Sequence, residues 1–321
     1  MSDLSYQPKT YRKDGGDTFV VANGGQILVE PGGSVMGGNP TGAADYWVDG
    51  NVSATGDGSL NDPYLTLKEA ITASNISIAL TANRWWARRN RIFVMGDQEI
   101  DEDLTVGAEK CDIIGLGTDL HPFPRILGNH AFASKCTGMR LINLGFISTG
   151  AGALIIIPDL QHGFQALGCH FWPKQTGTTH GIHIIGSSSW KIIGCRFLTS
   201  SSGATLFAEG IKQEDGTGQG HDGEIFDNFI RATEGIHIES GCAPTGQAAR
   251  IDNNVIYATV LTVNDADDKS IITRNMLISD AVAASTGAGA ITGNTALAAG
   301  NRLTCSDHLN APWPLEGTLA G

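Results

Sequence analysis

Cys169-His170-Phe171, Cys195-Arg196-Phe197, Asn228-Phe229-Ile230 and Asn254-Val255-Ile256 are one phrase written four times. A short apolar strand ends in Asn or Cys, any residue follows, and then a bulky apolar one. Leu144-Gly145-Phe146 and Asn275-Met276-Leu277 are looser copies, and the first members of the six stand 25, 26, 33, 26 and 21 residues apart. A period in that range predicts a solenoid, in which a single repeat cannot bury its apolar face and must stack on its neighbours. Unequal intervals suit strands of fixed length joined by loops of variable length.

A second phrase keeps step with the first. His180-Gly181-Ile182-His183, Glu209-Gly210-Ile211-Lys212 and Glu234-Gly235-Ile236-His237 place their isoleucines 29 and 25 residues apart. Strand alternation puts Ile182, Ile184, Ile236 and Ile238 on a core face and His183 and His237 on an outer one. At about 4.8 Å per stacked coil, roughly eight coils make a rod about 40 Å long. Short strands, glycine corners and the lack of helical periodicity favour a parallel β-helix over a helical repeat, and the leucine spacing of leucine-rich repeats is missing. Asn228, Asn254, Asn275 and Asn294 share one register. Stacked amides are both donor and acceptor, so the column is expected to satisfy itself and the backbone it turns; Cys169 and Cys195 read as apolar replacements there.

The chain has 321 residues, with 42 glycines, 41% hydrophobic and 17% charged residues, a composition of many tight turns around a real core. Cysteines 111, 136, 169, 195, 242 and 305 are scattered without a Cys-x-x-Cys pair, which predicts buried thiols and neither disulfides nor zinc. A net charge of −12 argues against nucleic acid as a partner. The first residues, MSDLSYQPKTYRKDGG, lack the apolar core of a secretory leader, and no apolar run is long enough for a membrane span, so synthesis in a cytoplasm is expected. The basic cluster Arg84-Trp85-Trp86-Ala87-Arg88-Arg89 has two readings: the end of an amphipathic helix whose arginine stems cover apolar surface, or a subunit or glycan contact through the tryptophans.

Four segments are expected. Residues 1–43 carry Gly-Gly pairs between short strands, and Tyr11, Arg12, Phe19, Val21, Ile27 and Val29 are the candidate docking residues of this arm. It holds too little apolar surface to be stable alone and needs a partner surface. Residues 44–110 supply entry strands and a helix with apolar spacing at Leu67, Ala70 and Ile71; 111–300 form the stacked strands; 301–321, with Pro312-Trp313-Pro314, cover the last coil.

The stretch Asp45-Tyr46-Trp47-Val48 through Asn61-Asp62-Pro63-Tyr64-Leu65-Thr66 to Ala70-Ile71 resembles the opening of right-handed parallel β-helix proteins of the pectate-lyase-like superfamily. There, a first strand and a Gly/Asp loop lead into a capping helix. Ile92-Phe93-Val94-Met95-Gly96 and Cys111-Asp112-Ile113-Ile114-Gly115 resemble the strands that follow. The implied fold is all-β, a right-handed single-stranded parallel β-helix with an N-terminal cap helix and a glycine-rich arm. The superfamily includes lyases, hydrolases and non-enzymatic virion proteins, so the resemblance implies fold more than function. The arm, Tyr11 to Gly33, resembles glycine-paired N-terminal segments of head-associated structural proteins of tailed bacteriophages.

Were the chain an enzyme, the outward column His183, Lys212, His237 flanked by Glu209, Glu234 and Glu239 would carry acid–base chemistry on a polysaccharide. The competing reading is a solvated face on which opposite charges alternate down a ladder. Gly220-His221-Asp222 resembles only part of a galacturonase motif; Asp265, Asp267 and Asp268 read as an Asp-rich turn in preference to a calcium loop; and Cys169 and His170 point to opposite faces, which disfavours a shared metal. No phosphate loop or nucleophile elbow is present, and no cofactor is expected. Trp172 and Trp190 are candidate exposed aromatics for a glycan or a subunit contact. The expectation is therefore a non-enzymatic protein of the virion surface, a capsid decoration or head-surface protein. It would form a homo-oligomer, expected as a trimer, and be held through its arm to the major capsid protein or another virion protein. The alternatives are a tailspike-like depolymerase and a binder of bacterial surface glycan.

Overall fold

The computed structural model describes residues 43–79, 88–96, 99–117, 124–174, 177–199, 206–217, 222–239, 242, 249–258, 260–263 and 270–277, with short strands at 10–12, 19–21, 283–284, 290–292, 295–296 and 303–304. Ile27, Val29, Trp85, Trp86, His221, Asn294, the aspartates 265, 267 and 268, Cys305 and Pro312-Trp313-Pro314 lie outside these residues. The chain divides into two units, Met1–Gly38 and Asn39–Gly321. In the first, Thr10–Arg12 pairs antiparallel with Phe19–Val21, with Tyr11 opposite Val20.

The second unit is all-β, with long parallel sheets and one helix among the described residues. A ten-stranded sheet runs in strict chain order from Asp45–Val48 through Asn90–Val94, Cys111–Gly115, Arg140–Ile142, Gln165–Leu167, Lys191–Ile193, Glu224–Phe226, Arg250–Asp252 and Ile271–Thr273 to Ala290–Thr292. Each of its strands pairs parallel with the next. A second ladder follows the Cys/Asn phrase: Gly145 stands beside His170, His170 beside Arg196, Arg196 beside Phe229, Phe229 beside Val255 and Val255 beside Met276. The expected registers are the observed ones. The Gly-Ile phrase makes the third ladder, and the ten-residue strand Phe229–Ile238 belongs to both.

The middle residue of each short strand points inward. Ile92, Ile113, Leu141, Ala166, Ile192, Ile225, Ile251 and Ile272 are almost completely buried, and Phe146, Phe171 and Phe197 stack with ring centroids 5.5 and 4.7 Å apart. Burying one such side chain contributes about 2 kcal/mol, so the core is a sum of equal rungs. Helix Leu67–Ala79 buries Leu67, Ala70, Ile71, Ser74 and Ile78, the face that its spacing predicts. Its start is doubly capped. Thr66 and Glu69 form a capping box at 3.0 and 3.2 Å, and the Glu102 carboxylate accepts from the amides of Leu67 and Lys68.

The corner between the first two ladders explains the repeated phrase. Asn143, Gly168, Gly194, Asp227, Asn253 and Arg274, each just before the phrase, all have φ between 53° and 64°. Gly, Asn and Asp enter this left-handed region most readily. Arg274 is the exception, and it is held there by a two-pronged ion pair with the buried Asp252. At all but the first of these corners, where Leu144 follows, the next side chain then donates to a carbonyl one repeat back. Cys169 Sγ reaches Leu141 O and Cys195 Sγ reaches Ala166 O, both at 3.4 Å; Asn228, Asn254 and Asn275 Nδ2 reach Ile192, Ile225 and Ile251 O at 2.8, 2.9 and 3.0 Å. The cysteines are therefore not merely apolar replacements, because they keep the donor and give up the acceptor. The asparagines use both, accepting through Oδ1 from the backbone amides of Cys195, Asn228 and Asn254. Cys111, Cys136, Cys169, Cys195 and Cys242 are buried and form no disulfide.

The outer face of the ten-stranded sheet carries two columns. One is apolar and half-buried: Trp47, Phe93, Ile114, Ile142, Leu167, Ile193 and Phe226. Beside it, Asp45–Arg91, Asp112–Arg140 and Lys191–Glu224 pair between neighbouring strands at 2.6–2.9 Å.

Asn254→Ala deletes the acceptor of the Asn228 amide and side chain and, at once, the amide donor to the Ile225 and Asp252 carbonyls. With unmet buried groups costing about 1–3 kcal/mol each, it should lose about 3 kcal/mol in denaturant unfolding. Asn253→Gly, at the left-handed corner, should change stability by less than about 1 kcal/mol.

Candidate functional site

The acid–base residues singled out in the sequence do meet, on the outer face of the third ladder. Strands His180–Ile185, Phe207–Glu214 and Phe229–Ile238 align His180 with Glu209 and Glu234, and His183 with Lys212 and His237. Two residues missed by the sequence reading join them, His180 and Glu214. Simple alternation would put residues three apart on opposite faces. Here Gly181 and Ile182 both turn inward, and so do Gly210 with Ile211 and Gly235 with Ile236, which returns both ends of the phrase to the outer face. The glycine is required: a Cβ at Gly210 would lie 2.6 Å from Ile230 Cγ2 and 2.7 Å from the Gly235 carbonyl. His180 and His183 consequently stack, with ring centroids 4.7 Å apart.

Glu209 is the centre of the network. His180 Nε2 donates to its Oε2 at 2.5 Å, His237 Nδ1 donates to its Oε1 at 2.7 Å, and its side chain is only 16% exposed. Thr179 Oγ1 lies 2.7 Å from His180 Nδ1 and orients the ring with Nε2 toward Glu209. His237 Nδ1 is also 3.4 Å from Glu234 Oε2. Alongside, His183 Nε2 meets Glu214 at 2.8 Å, and Lys212 bridges Glu214 at 3.5 Å and Glu239 at 3.0 Å.

The electrostatics follow from this geometry. Burial pushes the Glu209 carboxyl up, but the hydrogen bonds from His180 and His237 outweigh it and hold the group far below the usual carboxylate range. Hydrogen bonds to Glu209 and then Glu234 raise His237 to about 10, against partial burial. Burial and the neighbouring His180 lower His183, with Glu214 opposing. For Lys212, burial is outweighed by Glu239 and the nearby carboxylates, and its value rises. Glu209 is thus ionised at neutral pH and cannot be the proton donor that glycoside cleavage requires, while His237 is already protonated and is no general base. One oxygen atom of Glu234, Oε1, is buried without a hydrogen-bond partner. Glu209, Glu234 and His237 offer ligand atoms within 4.8 Å of one another, so a cation would have to displace the proton that His237 holds.

The aromatic candidates separate. Trp172 is half-buried on the second ladder, its ring 5.4 Å from that of His170. Trp190 is not an exposed aromatic; it is fully buried, in space left by Gly223, where a Cβ would stand 2.1 Å from the indole. Tyr11, Arg12, Phe19 and Val21 lie on the paired strands of the first unit.

A raised folded-state value means that the stabilisation is complete below the unfolded value and is lost as pH rises through the folded one. The His237 contribution should therefore fade between its ordinary 6.5 and about 10. Melting temperature should fall over that window, and His237→Gln should flatten the fall; parallel profiles for the two proteins would show that the imidazolium contributes nothing. Glu209, whose value is lowered, contributes above the ordinary carboxylate range, and that part is lost on acidification.

No protein-family model matches the chain and no curated protein matches its sequence, so a functional reading rests on the residues themselves.

Proposed function

We propose that this chain is a non-enzymatic structural protein of a tailed-bacteriophage virion, a capsid decoration or head-surface component attached through residues 1–43. In this reading the stacked strands are a right-handed single-stranded parallel β-helix, and helix Leu67–Ala79 is its N-terminal cap. The observation that carries the non-enzymatic part is the mutual pairing of the central charges of the outer acid–base column. Glu209 is clamped by His180 and His237, and Lys212 is divided between Glu214 and Glu239. A catalytic pair keeps one group poised to exchange a proton with substrate; here the charges are spent on one another across neighbouring strands. Support for the β-helix comes from the six left-handed corners in register and the uniformly parallel pairing in the second unit. The arm reading is supported by the separation of Met1–Gly38 as its own unit with a small antiparallel pair, which fits a docking module.

Gradient-purified particles from a culture that carries the gene, probed by immunogold with antibody to the chain, should be labelled over their heads. A chain found only in the particle-free fraction overturns the virion assignment. The full-length protein, incubated with a panel of bacterial capsular and O-antigen polysaccharides, should release no new sugar ends. Release that is lost in Glu209→Gln would make it a depolymerase instead.

A further inference from the structure

The outer face of the ten-stranded sheet combines an apolar ladder about 30 Å long with a column of alternating charge, one residue of each per strand. The stripe is half-buried within one chain, and a second copy laid on this face would bury the remainder. The charged column contains Asp45, Arg91, Asp112, Arg140, Gln165, Lys191, Glu224 and Arg250, in that order along the sheet, so this face is close to neutral while the chain as a whole is strongly acidic. A second copy is repelled least there.

From this arrangement we infer that the face is a self-association surface, on which two copies pack face to face with their ladders antiparallel. The two-fold axis lies parallel to the strands and passes between Arg140–Ile142 and Gln165–Leu167. The alternation of the column requires an axis between strands, where no facing pair is of like sign, and this placement is the one that overlaps all eight strands of the column. Across it Asp45 meets Arg250, Arg91 meets Glu224 and Asp112 meets Lys191, while Arg140 meets the neutral Gln165. In the neighbouring column Phe93 meets Phe226, Ile114 meets Ile193 and Ile142 meets Leu167, aromatic on aromatic and aliphatic on aliphatic, while at the ends Trp47 meets Asp252, whose carboxylate Arg274 holds. Moving the axis by half a repeat, onto the Ile142 strand, sets Asp45 against Glu224 and Arg91 against Lys191. Moving it onto the Leu167 strand sets Arg91 against Arg250 and Asp112 against Glu224. Running the ladders parallel lays the charged column over the apolar one.

The charges are available for this. Arg250, Arg91, Asp45, Lys191 and Glu224 have side chains 55, 44, 40, 38 and 34% exposed. Their pairs within one chain do not compete with the second copy. Asp45–Arg91 facing Arg250 and Glu224 makes a square of alternating sign, in which every charge has two opposite neighbours. Arg91 and Arg250 also lie over the rings of Phe93 and Phe226, 5.5 and 4.8 Å from the centroids, so the aromatic pair is flanked by its own cations. A two-fold contact of this kind is self-complementary by construction. It departs from the three-fold assembly expected from the sequence, and it holds whether or not the chain belongs to a virion.

The test uses the full-length protein in sedimentation velocity. The wild-type chain should sediment at twice its 33.7 kDa mass. The double swap K191E/E224K keeps the Lys–Glu pair inside each chain but sets Asp112 against the new glutamate and Arg91 against the new lysine. It should weaken association by more than about tenfold while leaving the circular dichroism spectrum unchanged. A second variant, I114C/I193C, reads the register directly. The two sites are three strands, about 14 Å, apart in one chain but face each other across sheets about 10 Å apart in the pair. A bis-maleimide of about 10 Å reach should therefore give a covalent dimer with the double variant and none with either single variant or the wild type. A wild-type monomer or trimer, a swap that associates as well as the wild type, or a double-cysteine protein that does not crosslink each overturns the inference.

Discussion

Five successive repeats turn on one side-chain hydrogen bond. From the corner at Gly168 to that at Arg274 the chain enters a left-handed conformation, and the next side chain, Cys169, Cys195, Asn228, Asn254 or Asn275, reaches back one repeat to a backbone carbonyl. A sharp inward corner would leave that carbonyl unpaired in an apolar interior, where it costs about 1–3 kcal/mol. The donor that satisfies it also fixes where the following strand begins. The phase of the second ladder is therefore tied to that of the first, and the third ladder inherits the same register. Rows of isoleucine and stacked phenylalanine supply the burial energy, but they line up because the corner does.

The same registration gives the two outer faces different characters. On the third ladder it brings histidines, a lysine and glutamates into a closed network, partly sheltered from water, where opposite charges hold one another's protonation states. On the ten-stranded sheet it writes charge and hydrophobicity into separate columns. On the first face the charges engage one another, and order on the second is of the kind that recognition requires. Neither character belongs to a single residue; both come from repetition.

Much of this was legible in the sequence, because parallel strands in register place like residues above like. The two repeated phrases, their intervals and the buried thiols could all be read from spacing. What escaped did so for particular reasons. The left-handed column mixes Asn, Gly, Asp and Arg, residue types that share a backbone conformation and not a chemistry. Cys169 and Cys195 looked like apolar substitutions because a thiol's weak donor role shows only when a carbonyl is seen beside it. His180 and Glu214 were overlooked as site residues. For His180, two consecutive inward residues break the period of two, and only the space around Gly181 and Gly210 reveals that. Trp190 looked like a surface aromatic because the glycine that makes room for it lies 33 positions later in the chain.

The corners also bear on what the chain can accommodate. Their spacing varies from 21 to 33 residues, yet φ stays between 53° and 64° and, from Cys169 onward, the back-reaching donor stays in place. Extra length is absorbed between corners without disturbing the stacking, and loop-closure entropy makes it inexpensive, about 0.6 kcal/mol for each doubling of a loop. In evolutionary terms the molecule is a ruled page. Insertions can lengthen any line at its margin, and new surface can be acquired one repeat at a time without redrawing the rules.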